Sequence, residues 1–134
     1  MKEFNAICII DDDPITVFGI KKMLSIVTKC DNIITYYNGK LAIDGLREIV
    51  NNNEDIPDII FLDINMPIMD GWQFLEEFIA IPMKKKIRIN IVTSSIDPLD
   101  IKKAEMYKSM SHHTVVFNNK PITRSVIEEI TNAA

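Results

Sequence analysis

Four groups of polar residues in this chain stand at the ends of apolar runs, and together they suit one kind of chemistry. Asp11-Asp12-Asp13 follows Asn5-Ala6-Ile7-Cys8-Ile9-Ile10, and Asp63 closes Asp58-Ile59-Ile60-Phe61-Leu62. Thr93 follows Ile87-Arg88-Ile89-Asn90-Ile91-Val92, and Lys120 comes just after Thr114-Val115-Val116-Phe117-Asn118. Carboxylates brought to one place repel one another and raise each other's pKa unless a cation compensates. Mg2+ suits such a place, because it takes oxygen ligands, keeps several waters and needs only one or two carboxylates plus a phosphate. Zinc does not: Cys8 and Cys30 have no CxxC spacing and no nearby His. A carboxylate nucleophile forms an acyl phosphate when a metal, a lysine and a hydroxyl neutralise and position the transferring group. Asp63, Lys120 and Thr93 are the residues for those roles, with Ser94 the alternative hydroxyl. Thr93 is preferred because it ends the apolar run directly.

These residues converge only if the chain delivers them to one edge. The runs Asn5–Ile10, Ile33–Tyr37, Asp58–Leu62, Ile87–Val92 and Thr114–Asn118 read as strands, short and apolar enough to be buried on both faces. Between them lie helical patterns. Pro14 opens the first, with Val17, Ile20, Leu24 and Val27 at core spacing; Ala42, Gly45, Leu46, Ile49 and Val50 mark the second; Phe74, Leu75, Phe78 and Ile79 the third. Asp97-Pro98 starts the fourth, along Ile101, Ala104, Tyr107 or Lys108, and Met110, and Ile122–Thr131 forms the fifth. Five strand–helix repeats with right-handed crossovers give a doubly wound (βα)5 α/β fold of flavodoxin-like type: a five-stranded parallel sheet with helices on both faces. In such sheets ligands bind beyond the carboxyl ends of the strands, where the four groups fall.

The bulk properties narrow the partners. At 134 residues, 47% apolar and 25% charged, the chain is expected to be one domain spanning 1–134. A net charge of −4 and a pI near 5.1 argue against a nucleic-acid partner, and Lys84-Lys85-Lys86 is short enough to be a solvated loop. No apolar stretch approaches a membrane span, and Met1–Asn5 has no signal-peptide pattern, so no membrane association and a cytoplasmic location are expected. Asp13 reads as a helix N-cap before a ligand, and Phe117 as a packing residue as readily as a mobile ring. His112-His113 is expected in a solvated loop, its two rings pointing apart, and Trp72 is expected to pack near the acidic edge.

Four segments in order carry a resemblance: Ile9-Ile10-Asp11-Asp12-Asp13-Pro14, Phe61 through Asp63 to Gly71, Val92-Thr93-Ser94-Ser95 and Asn119-Lys120-Pro121. They resemble the signatures of bacterial two-component response-regulator receiver domains, of the stand-alone, chemotaxis-regulator-like kind, over nearly the whole chain. The resemblance implies that Asp63 is the phospho-acceptor, that Asp12 and Asp63 bind Mg2+ by side chain, that Asn65 offers its backbone carbonyl, and that Asp11 supports the metal through water. It also implies that Lys120 pairs with the acids and then the phosphoryl oxygens, and that Thr93 turns inward to hydrogen-bond them, drawing its loop along. The Lys120-Pro121 bond is similar to one that is cis in the family, and Phe117 stands at the family's aromatic switch position. The implied partners are a sensor histidine kinase or phosphotransfer protein as donor and an unknown downstream protein.

With no output domain expected after the fifth helix, signalling is expected to run through altered protein contacts, and catalysis to be limited to the domain's own phosphotransfer and dephosphorylation. Two departures from the family pattern, a slightly long segment between strands two and three and Ser109–His113 in place of a small-residue turn, lie away from the acidic edge. Two other functions compete. A pseudo-receiver keeps the fold and binds partners without phosphorylation, which the full set Asp12, Asp63, Thr93 and Lys120 argues against. An aspartate-nucleophile phosphohydrolase places its acids on the first strand in a DxDx(T/V) pattern, where Ile15 is wrong for the last position.

Overall fold

The computed structural model describes residues 1–134. Five strands form one parallel sheet: β1 (Ile7–Ile10), β2 (Ile33–Tyr36), β3 (Ile59–Leu62), β4 (Arg88–Thr93) and β5 (Thr114–Asn119). Five helices connect and follow them: α1 (Pro14–Val27), α2 (Gly39–Asn51), α3 (Gly71–Ile79), α4 (Pro98–Met110) and α5 (Arg124–Ala133). The spatial order β2-β1-β3-β4-β5 reverses direction between β1 and β3, which makes their carboxyl ends the switch point of the sheet. The doubly wound fold expected from the repeats is the one observed.

Alternation along the central strands divides the interior in two. Cys8, Ile10, Ile60, Leu62, Ile89 and Ile91 face one way, against Ala42, Leu46, Phe74, Phe78, Ala104 and Tyr107 of α2, α3 and α4. Ile7, Ile9, Ile59, Phe61 and Val92 face the other, against Val17, Ile20 and Leu24 of α1 and Ile127 and Ile130 of α5. All four residues of β1 and of β3 are buried, whereas the edge strand β2 is half-buried throughout. Continuous apolar runs therefore mark the strands flanked on both sides by others, and it is these that carry the acids.

Each helix begins on a side-chain cap: Asp13, Asn38, Asp70, Asp97 and Thr123 accept a backbone N–H from the first turn. Such a cap contributes about 1 kcal/mol, and it sets where the chain leaves each loop. At α3, Asp70 and Gln73 form a reciprocal capping box.

Two expectations are corrected. Helix α4 buries Ala104 and Tyr107, but Ile101 and Met110 are exposed: the helix meets the sheet along a narrow face, and these two lie off it. The two histidine rings do not point apart but meet edge to face at 5.2 Å and 66°, and only His112 is exposed. His113 is 4% exposed, sits 5.4 Å from the Phe78 ring, and accepts the Ile87 N–H at Nδ1 (3.0 Å). Burial, reinforced by the neighbouring His112, pulls its pKa down from 6.5 to about 4. A third feature left no sequence signal: Lys2–Glu3 pairs in parallel with Thr28–Lys29, a contact too short to show a period.

Candidate functional site

The backbone ladder runs one residue past the strands and thereby fixes the acids. Asp11 N–H donates to Tyr36 O (3.1 Å) and Asp63 N–H to Ile10 O (2.9 Å), so both Cα positions are held as firmly as strand residues. On the other side Lys120 N–H donates to Thr93 O (2.8 Å), tying the end of β5 to that of β4. The Lys120–Pro121 peptide that follows is cis. Behind Asp63, the start of α3 closes on the strand. Gly71 N–H donates to Ile64 O (2.8 Å), and a Cβ on Gly71 would run into the Asp63 carbonyl oxygen, so glycine is required by the close approach of backbones.

These constraints place the side chains around one shallow acidic centre. Lys120 Nζ lies 3.0 Å from Asp11 Oδ2 and 3.6 Å from Asp63 Oδ2. Asp63 Oδ1 accepts the Ile64 N–H (2.9 Å), and Asp11 Oδ1 accepts the Asp13 N–H (2.9 Å). Asp11 and Asp63 are buried, at 2% and 6% exposure, Asp12 is exposed, and Thr93 is fully buried at the strand end. Asn65 is exposed in the loop after β3, and Ser94 is exposed beside Thr93. Asp13 is occupied elsewhere: its carboxylate caps α1 through Ile15 N–H and takes the Thr16 hydroxyl, which together hold its pKa down. The structural role of Asp13 therefore accounts for its contacts.

The electrostatics follow from two buried acids sharing one lysine. Burial and then the Asp11 charge push the Asp63 pKa up from 3.8 to about 6, against the opposing pull of Lys120. Asp11 is also raised, by burial, with the Asp13 N–H and Lys120 acting the other way. Burial would lower Lys120, but Asp11, Asp63 and Asp13 outweigh it and its pKa rises. The lysine stays charged while the acids are under-compensated, with more negative charge than one ammonium neutralises.

A divalent cation fits this imbalance. Carboxylate oxygens of Asp11, Asp12 and Asp63 lie within 4.8 Å of one another, an all-oxygen donor set with one exposed member open to solvent. That set suits Mg2+ or Mn2+ rather than zinc. Phe117 is half-buried against the interior on the α2–α4 side. Trp72 packs as expected, stacked on Tyr107 at 5.7 Å and 12°, but its indole N–H also donates to Asp100 (3.0 Å). Sequence reasoning missed Asp100 and its other partner Ser95; a tryptophan in a half-polar first turn was the available signal.

The comparisons with known proteins agree with this geometry. The family described as "Response regulator receiver domain" matches residues 7–132. A two-component response regulator of Oryza sativa is 30% identical over 125 residues, covering 92% of this chain and 19% of that protein. The chain spans a fifth or less of the length of the first curated relatives it matches. A two-component response regulator from Cytophaga hutchinsonii superposes with a TM-score of 0.82 at 30% identity, over 98% of this chain and 97% of that one. The phosphorylated cyanobacterial phytochrome response regulator RcpA gives 0.76 at 25% identity, over 97% and 91%.

Proposed function

From the fact that this chain belongs to the response regulator receiver family, we propose that Asp63 is its phospho-acceptor and that phosphorylation there switches its protein contacts. The observation that carries the reading is the placement of Asp63: buried at the switch point, within 3.6 Å of Lys120, and in reach of two further carboxylates. An Asp63 carboxylate oxygen attacks the phosphorus of a phosphohistidine, the new O–P bond forms as the N–P bond breaks, and the departing imidazole takes up a proton. Lys120, already between Asp11 and Asp63, meets the incoming negative charge on the phosphoryl oxygens. Thr93 supplies a hydroxyl donor to the same oxygens from the end of β4.

Asp11, Asp12 and Asp63, with the Asn65 carbonyl, would hold Mg2+. Bound there, the ion neutralises the carboxylates and the transferring group, which is the larger part of what phosphoryl transfer requires. The raised pKa values of Asp11 and Asp63 support this assignment, since a site built around a cation is over-acidic without one. A histidine kinase or histidine phosphotransfer protein is the natural donor and a protein the recipient of the signal. No helix is long and apolar enough to cross a membrane.

Incubation with acetyl phosphate and Mg2+ tests the reading. We expect one phosphoryl group per chain, labile to base and hydroxylamine as an acyl phosphate must be, and none in the presence of a chelator. Absence of uptake under these conditions would favour the pseudo-receiver instead.

A further inference from the structure

Thr93 is not free to turn toward Asp63 at no cost. Its hydroxyl oxygen accepts the Ser95 N–H (3.2 Å), and Ser95 is itself held at its remaining polar groups. The Ser95 carbonyl accepts from Asn119 Nδ2 (3.0 Å), and its hydroxyl donates to a carboxylate oxygen of Asp100 in the first turn of α4 while accepting the Asp97 N–H (3.2 Å). The other Asp100 oxygen accepts the Trp72 indole N–H from the start of α3 (3.0 Å). Trp72 is fixed in turn by its stack on Tyr107 of α4. A continuous set of hydrogen bonds thus runs from the buried hydroxyl of Thr93, through the loop, to two helices.

A Thr93 side chain that changes rotamer to bring its hydroxyl toward Asp63 carries the oxygen away from the Ser95 N–H. That N–H then loses its acceptor unless the loop follows, and the loop is held by Asp100 and Asn119. We propose that Ser95, Asp100 and Trp72 form a latch that keeps the Thr93 loop in its resting arrangement, and that its strength sets how readily phosphorylation switches the domain. The proposal rests on the assignment of Asp63 as acceptor. Ser95 and Asp100 are positioning residues, acting on the phosphoryl group only through Thr93. Since the hydrogen bond to the Asp100 carboxylate is charge-assisted and is made in the resting arrangement, removing it shifts the balance toward the switched arrangement about tenfold.

The test uses beryllofluoride with Mg2+ as a phosphoryl mimic, its uptake followed by fluorine NMR. Ser95→Ala and Asp100→Ala are each expected to reach half-saturation at about tenfold lower beryllofluoride than the wild type. The double variant should shift no further than Asp100→Ala alone, because the Ser95–Asp100 hydrogen bond is already lost in that single variant. Mg2+ affinity without the mimic should be unchanged in all three, a result that a general loosening of the fold would not produce. The emission of Trp72, the one tryptophan of the chain, should change on uptake in the wild type as its indole N–H loses Asp100. Wild-type uptake with equal or weaker half-saturation in the variants would overturn the latch alone. A wild type that binds no beryllofluoride would sink the Asp63 assignment and the latch with it.

Discussion

Replacing Asp63 with asparagine should make the metal-free protein more stable at neutral pH. In the folded chain the carboxyl group titrates at about 6, against 3.8 for an unburdened aspartate, a difference of about two pKa units. At about 1.36 kcal/mol per unit, ionising Asp63 costs the folded state about 3 kcal/mol above pH 6, because burial and the Asp11 charge oppose it more than Lys120 favours it. Between pH 3.8 and 6 the folded state holds a proton that the unfolded chain has released, so this residue's contribution to stability falls as pH rises through that window and then levels off. Asparagine resembles the neutral acid in shape and removes the penalty, with relaxation around ionised Asp63 recovering part of it in the wild type. The expected gain is about 1–3 kcal/mol at pH 7, or a melting temperature roughly 4–10 °C higher for a chain of this size. The assay is urea unfolding of both proteins with a chelator from pH 4 to pH 8. The gap should open with rising pH, and saturating Mg2+ should close or reverse it, since an ion at 100 times its dissociation constant stabilises its binder by about 2.7 kcal/mol. An asparagine variant no more stable than the wild type at pH 7, or a gap that does not depend on pH, would refute the reasoning.

Two further outcomes follow from the packing. His113 should stay neutral down to about pH 4, because its pKa is lowered by burial, and since unfolding restores its ordinary value of 6.5 its contribution to stability is present above 6.5 and lost as pH falls toward 4. Imidazole chemical shifts across that range check the first part, and a shallower acid-side loss of stability in His113→Gln checks the second. Gly71→Ala should destabilise by about 1–3 kcal/mol, since the new methyl group collides with the Asp63 carbonyl, and should weaken Mg2+ binding more than an alanine elsewhere on α3. Denaturant midpoints and a metal titration of the pair read both effects.

The fold was legible in the chain because its central strands are continuous apolar runs and each helix opens on a capping residue, signals that are local. The acidic edge was legible for the same reason: Asp11, Asp63 and Thr93 each end or follow a run, so finding the strands finds the residues. What was hidden depends on contacts between distant segments. His113 packs on Phe78 and is satisfied there by the N–H of Ile87, 26 positions earlier. The apolar residues of α4 gave a false core because nothing local says how narrow a face the sheet offers, and Ile101 and Met110 fell outside it. The link from Trp72 to Asp100 spans 28 positions and joins two helices whose relative placement only the folded sheet decides.

The central claim is that Asp63 takes the phosphoryl group, and locating the label tests it most directly. Wild-type protein is labelled with acetyl phosphate and Mg2+, reduced with borohydride so that an aspartyl phosphate becomes homoserine, digested, and sequenced by mass spectrometry. The account predicts homoserine at position 63 and nowhere else, with no conversion in Asp63→Asn. Homoserine at position 11 or 12, or undiminished labelling of Asp63→Asn, would contradict it.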